Sequence, residues 1–310
     1  MTNDTKSASP LSRRLIRGST AFDKIVNGIK QGKKDKLFDC GYALRGIEIG
    51  PGILTLIGAP PGRGKTALTM QATYEAVQRE PGLHAVVASL EVTEETLIKR
   101  RIAKEIGVSF EAVRFNRLTD RQRSKIAGLS KFREMLDSID FVPESACGLG
   151  DLKTLMTDRV KPGLLVLDYI QLFGSEMDDP KARAALTMAT ARRFCAEGWA
   201  VVAVSAFSRN QSISGRSRTK GASLESFRDS SAIEYSGAAA YALDEASNCK
   251  GVDPPPIRQM SLRCLKNRNG ECRHINLWFN GPQLSFSRDE PDTDTVSANS
   301  SPSESQGGVF

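Results

Sequence analysis

The 310-residue chain is 40% hydrophobic and 25% charged, a globular balance that permits a full core in one large domain or two small ones. Its net charge is +7; residues 288–310 set Arg288 against Asp289, Glu290, Asp292, Asp294 and Glu304, a net of −4, so the other 287 residues sum to +11 (+7 minus −4), which suits a phosphate backbone. Six scattered cysteines without a C-x-x-C pair imply neither a zinc site nor a disulfide framework, and the short apolar run Trp199–Val204 and the bare Arg13, Arg14 and Arg17 give no membrane span or secretory signal. A reduced, cytoplasmic, nucleoid-associated setting is expected, with no membrane partner.

Residues 1–18 are polar and Ser-rich and are expected to be disordered. Residues 19–37 read as a short helix and linker. Phe22, Ile25, Val26 and Ile29 fall on one helical face after a cap-like Thr20-x-x-Asp23, and that face packs either on the protein's own core or on a neighbouring subunit. From 38 to 287, short apolar runs alternate with amphipathic stretches, the pattern of an α/β fold with a mostly parallel, twisted sheet flanked by helices. The predicted strands are 53–57, 85–90, 139–142, 164–167, 200–205, 239–243, 260–265, 275–279 and 283–286, with helices between the first five. Thr119 to Gln122 forms a capping box opening a helix that runs to Met135. Asp179-Pro180 starts another helix that Gly198 ends. The last strands form an antiparallel C-terminal extension, with Asn280-Gly281 as a turn. Residues 288–310 read as an acidic disordered tail.

Three segments carry chemistry. Ala59-Pro60-Pro61-Gly62-Arg63-Gly64-Lys65-Thr66, followed by Ala67, joins an apolar strand to a helix and fits a P-loop. The glycines let backbone N–H groups wrap phosphates, Lys65 reaches the β/γ-phosphates of ATP, and the Thr66 hydroxyl binds Mg²⁺. Leu164–Asp168 is a buried strand ending in a carboxylate. At the carboxyl edge of a parallel sheet, Asp168 would hold the same Mg²⁺ through water. Ala85–Glu91 is a second strand run ending in an acid, and Glu91 reads as the base that orients water or as a helix-start acid ahead of Thr93-Glu94-Glu95.

These segments, in this order, resemble the ATPase domain of DnaB-like replicative helicases, a RecA-like P-loop NTPase fold. The resemblance rests on SLEVTEETLIKR around Glu91, on LLVLDYIQLF, on FRDSSAIEY and on LKNRNG, and it spans roughly residues 38–287. It implies that Glu91 is the catalytic base and that Lys266 and Arg268 reach the next subunit's γ-phosphate in trans. By itself this pair reads as a solvated strand end. The resemblance also implies that Arg228, Asp229 and Ser231 line a channel for single-stranded DNA. The basic stretch Ser208–Ser223, with Arg209, Arg216, Arg218 and Lys220, reads equally as a second DNA-facing loop or a solvated linker. The function implied is an ATP-hydrolysing, ring-forming (hexameric) single-strand DNA translocase or helicase of DNA replication, working with other replication proteins. Two departures favour an alternative, an ATP-gated loading or regulatory module that does not unwind. Only about 35 residues precede the match where the family has a helical domain, and Ala206 stands where the family carries glutamine.

Overall fold

Nine apolar runs, each bounded by turn residues, form one nine-stranded sheet among the described residues of the computed structural model. These residues are 16–143, 148–157, 161–174, 177–207, 223–227, 236–245 and 255–291. The chain divides into two compact units, Met1–Lys36 and Leu37–Phe310.

The first unit holds helix α1, Gly18–Lys30. Its first turn closes from the Ala21 amide to the Arg17 carbonyl, so Thr20 lies inside the helix and the Thr20-x-x-Asp23 cap expected from the sequence does not form. No residue of α1 is buried. Phe22, Ile25 and Ile29 are 60–68% exposed, an uncovered apolar stripe.

In the second unit the strands are β1 Leu54–Ala59, β2 Ala85–Ser89, β3 Ile139–Phe141, β4 Leu164–Asp168, β5 Ala200–Ala206, β6 Ala239–Glu245, β7 Ile257–Asn267, β8 Ile275–Asn280 and β9 Ser285–Ser287. Their order across the sheet is β3-β2-β4-β5-β1-β6-β7-β8-β9, parallel through β6 and antiparallel beyond it. The helices are α2 Lys65–Arg79, α3 Glu94–Ile106, α4 Phe110–Arg114, α5 Asp120–Ala127, α6 Ser130–Leu136, α7 Leu149–Thr157 and α8 Pro180–Ala196. Parallel neighbours need crossovers, and the helices that supply them cover both faces of the sheet. Ile57 and Ala59 of β1 face a core that holds Leu68 and Met70 of α2. Leu54 and Leu56 face the opposite core, with Leu152 of α7 and Met188 and Phe194 of α8.

Every predicted strand forms, with boundaries shifted by a few residues. The Thr119–Gln122 capping box is present, but the helix it opens stops at Gly128. There the Gly128 and Leu129 amides fall back to carbonyls three residues earlier, which tightens the last turn, and α6 starts afresh at Ser130. Asp179 caps α8 with Pro180 at its first position, as the sequence suggests. One irregularity matters later. Ala240 pairs with Lys266 while Tyr241 pairs with Cys264, so Leu265 is a bulge in β7.

Candidate active site

β1 is buried along its whole length between β5 and β6, and its carboxyl end delivers the loop 60–64 to the start of α2. Gly64 caps α2 in the left-handed region, at φ 84°. A side chain there would be strained by that φ and would also meet the Phe279 and Phe286 rings at about 3 Å. No acidic residue occupies the first turn of α2 and no side chain caps it, so its amides and positive dipole end remain available to an anion.

Lys65 and Thr66 are both 7% exposed. Lys65 Nζ lies 3.4 Å from Glu91 Oε2 and 5.4 Å above the Tyr169 ring. Glu91 lies two residues past the end of β2, and its side chain is 45% exposed. Asp168 ends β4 opposite Ser89, and its carbonyl accepts the Leu90 amide, so the two acidic strand ends are held side by side. Burial pushes the Asp168 carboxyl up to about 6. The Thr66 hydroxyl and Lys65 draw it back, Glu91 raises it, and Arg100 lowers it. Asp168 Oδ1 has no hydrogen-bond partner among the described residues. A buried carboxylate with an unused oxygen beside a threonine hydroxyl, a lysine and a bare helix start fits a divalent cation carried on a polyphosphate.

Arg100 of α3 belongs to this cluster, and sequence reasoning missed it. Burial lowers its pKa while Asp168 and Glu91 oppose that shift, its Nε lacks a partner among the described residues, and its guanidinium sits 5.6 Å over Phe110. The available signal was helical spacing. Arg100 lies three residues after buried Leu97, on a face that should be apolar.

Arg63, expected among the phosphate-loop contacts, turns its side chain to Glu245 of β6. Glu245 also pairs with Arg258 Nε at 3.4 Å, and Arg258 donates to the Gly62 carbonyl at 3.3 Å. The loop is thereby braced from β6 and β7. Gln171, just past β4, brings its amide to Ser205 Oγ (2.8 Å) and to the main chain of Ala206. An amide therefore stands against the backbone of Ala206, from a different strand.

The structure brings together Lys65, Thr66, Glu91 and Asp168 but not Lys266 and Arg268. The Arg268 amide bonds the Ala238 carbonyl and the Ala238 amide bonds the Leu54 carbonyl, at the amino end of β1. The phosphate loop leaves the other end at Ala59, about 16 Å away at a strand rise of ~3.3 Å per residue. Lys266, paired with Ala240, is level with Leu56, so within one chain both cations are set back from the phosphate-loop end of the sheet, Arg268 further than Lys266. The DNA-contact residues expected from the sequence, Arg209, Arg216, Arg218, Lys220, Arg228, Asp229 and Ser231, lie outside the described residues. The residues that flank those segments are described. Phe207 and Phe227 form an isolated antiparallel bridge, their rings meet edge to face at 5.2 Å, and a side chain on Gly58 would collide with both.

The strand order and the site at the carboxyl ends of β1, β2 and β4 define a RecA-like P-loop fold of the nucleotide-binding class. The family model of the DnaB-like helicase C-terminal domain matches residues 41–288, and the chain belongs to that family. Among solved structures it is similar to one described as an ATPase domain, with a TM-score of 0.72 and 18% identity over 88% of this chain and 98% of that one. It is also similar to a DnaB-like replicative helicase described with its interactions with primase, with a TM-score of 0.70 and 16% identity over 88% of this chain and 67% of that one. No curated protein matches it. No helix among the described residues is long and apolar enough to cross a membrane.

Proposed function

We propose that this chain is an ATP-hydrolysing motor that closes into a ring, a hexamer, and moves along single-stranded DNA during replication. The observation that carries the reading is the split of the site across the sheet. Lys65, Thr66, Glu91 and Asp168 gather at the carboxyl end of the parallel strands, while Arg268 is level with the amino end of β1, about 16 Å away along the strands, and Lys266, across from Ala240, is level with Leu56, about 10 Å away. A second copy presenting its amino edge to this carboxyl edge completes the site, so hydrolysis requires assembly.

The roles follow from the contacts. Thr66 and Asp168 would hold Mg²⁺, which would neutralise phosphate charge. Lys65 pairs with Glu91, a half-exposed contact worth well under about 1 kcal/mol. Phosphate oxygens outcompete that pair, so Lys65 moves to them and the Glu91 carboxylate is released to accept a proton from water. Arg100 is a positioning residue for the two carboxylates. The segments beyond Phe207 and Phe227, carrying Arg209, Arg216, Arg218, Lys220, Arg228, Asp229 and Ser231, track the DNA backbone electrostatically. The primase named with the similar helicase supports replication proteins as partners.

The test pairs DNA-stimulated ATPase with unwinding of a forked duplex, after mass measurement with ATP analogue and DNA. The expected result is a closed oligomer, hydrolysis stimulated by single strands and loss of the duplex. Stimulated hydrolysis without unwinding would favour a loading or regulatory module instead, the reading that Ala206 supports. A monomer with undiminished ATPase would sink the shared-site reading.

A further inference from the structure

We propose that Cys264 and Cys272 form a reversible disulfide that clamps the root of the Lys266–Arg268 segment and switches off hydrolysis under oxidising conditions. The two thiols make no C-x-x-C pattern, yet β7 and β8 bring them together. The ladder ends at Leu262 and Ile275, and the two cysteines lie just beyond it on either arm of the hairpin, Cys264 two residues past Leu262 and Cys272 three residues before Ile275. The Cys264 thiol donates to the Lys266 carbonyl at 3.3 Å, and Cys272 lies near enough to raise the pKa of both Cys264 and Tyr241. The segment between them is already a tight turn. Asn267 Nδ2 donates to the Glu271 carbonyl at 3.1 Å, and the Asn269 amide donates to Asn267 Oδ1 at 2.9 Å. Metal binding is the competing use of such a pair. His274, the nearest third ligand, spends its Nδ1 on the Cys264 amide at 3.1 Å, and no metal-holding group of His, Cys, Asp and Glu occurs among the described residues.

The order of reaction follows from exposure. Cys272 is exposed and Cys264 buried. Burial, then the Cys272 contact, pushes the Cys264 thiol up to about 12, so Cys272 attacks first. With a small disulfide such as glutathione disulfide as oxidant, the Cys272 thiolate takes one sulfur and releases one glutathione thiol. Cys264 then gives up its proton, bonds the Cys272 sulfur and displaces the second glutathione. Two protein thiols are oxidised, and one glutathione disulfide is reduced to two thiols.

The consequence for hydrolysis rests on the function proposed above. Cys264 immediately precedes the Leu265 bulge, and its thiol already holds the Lys266 carbonyl at 3.3 Å. Contracting a non-bonded sulfur contact to a bond of ~2 Å draws the bulge and the turn together. A misplacement of about 1 Å costs a positioned catalytic group on the order of 10²-fold.

The experiment treats the full-length protein with glutathione disulfide, maps its disulfides by tandem mass spectrometry, and measures ATPase before and after. The expected result is a loss of about 2 Da mapped to Cys264–Cys272, with hydrolysis down about 10²-fold and restored by dithiothreitol. Cys272→Ser, at an exposed position, should fold, form no such bond and keep its rate under oxidant. A glutathione adduct left on Cys272, or a bond from either cysteine to any other cysteine, overturns the pairing. The bond formed with an unchanged rate overturns the switch. Absence of ATPase in the reduced protein would defeat the proposed motor function, while the mapping would still decide the thiol pair.

Discussion

Replacing Asp168 with asparagine should stabilise the nucleotide-free protein while destroying its metal-dependent activity. Asp168 is 2% exposed, and burial raises its pKa from 3.8 to about 6. Between those values the folded state binds more protons than the unfolded state, so stability falls as pH rises through that window and the loss is complete above about 6. A shift of roughly 2 units at ~1.4 kcal/mol each makes the ionised carboxylate cost about 3 kcal/mol at neutral pH. Asparagine keeps the shape without the charge. Its midpoint should rise by about 6 °C, taking about 2 °C per kcal/mol for a domain of this size. The assay is thermal unfolding of both proteins without nucleotide, from pH 4.5 to 8. The advantage of the variant should be largest above pH 6 and shrink towards pH 4.5. Mg²⁺ with ATP analogue should stabilise only the parent protein, and less as pH drops below about 6 and protons compete for Asp168. A variant less stable than the parent at pH 8, or an advantage independent of pH, would refute the argument that a desolvated charge sits at this position.

Glu91→Gln should bind ATP analogue like the parent and lose about 10²–10⁴-fold in turnover, read by steady-state ATPase; an unchanged rate would remove Glu91 as the base. Lys65→Ala and Arg268→Ala should each be inactive, yet a 1:1 mixture should regain about a quarter of parental activity, the fraction of interfaces that join an intact Lys65 to an intact Arg268. No recovery in rings shown to be mixed would count against Arg268. Deleting residues 1–33 removes the uncovered stripe of α1, and sedimentation should then show weakened assembly with an unchanged unfolding midpoint. Rings that persist with full ATPase would assign α1 another role.

What the sequence disclosed was local. The phosphate loop, the acid at the end of β4 and the capping box at Thr119 are set by neighbours within a few residues, so their geometry follows from spacing alone. What it concealed depended on register. β7 begins at Ile257, ahead of the apolar run, because Arg258 is buried 4.8 Å over the Phe279 ring and tied to Glu245. The bulge at Leu265, the meeting of Cys264 with Cys272 and the approach of Arg100 to Asp168 each join residues whose proximity exists only once strands are ordered. The cap expected at Thr20 failed for another reason. Backbone closure from Arg17 already started α1, so the hydroxyl had no role to fill.

Gly58 has the Phe207 and Phe227 rings pressed where its side chain would stand, one residue before β1 ends and the phosphate loop begins. Side chains ordinarily act as springs between moving parts, absorbing small displacements by changing rotamer. At Gly58 there is none to yield. Ring meets backbone, and the two rings brace one another across a single bridge. The basic stretch that follows Phe207 and the segment that follows Phe227 both leave from that bridge, so the bridge has almost no slack relative to the phosphate loop, and Gly58→Ala would put a wedge into the joint.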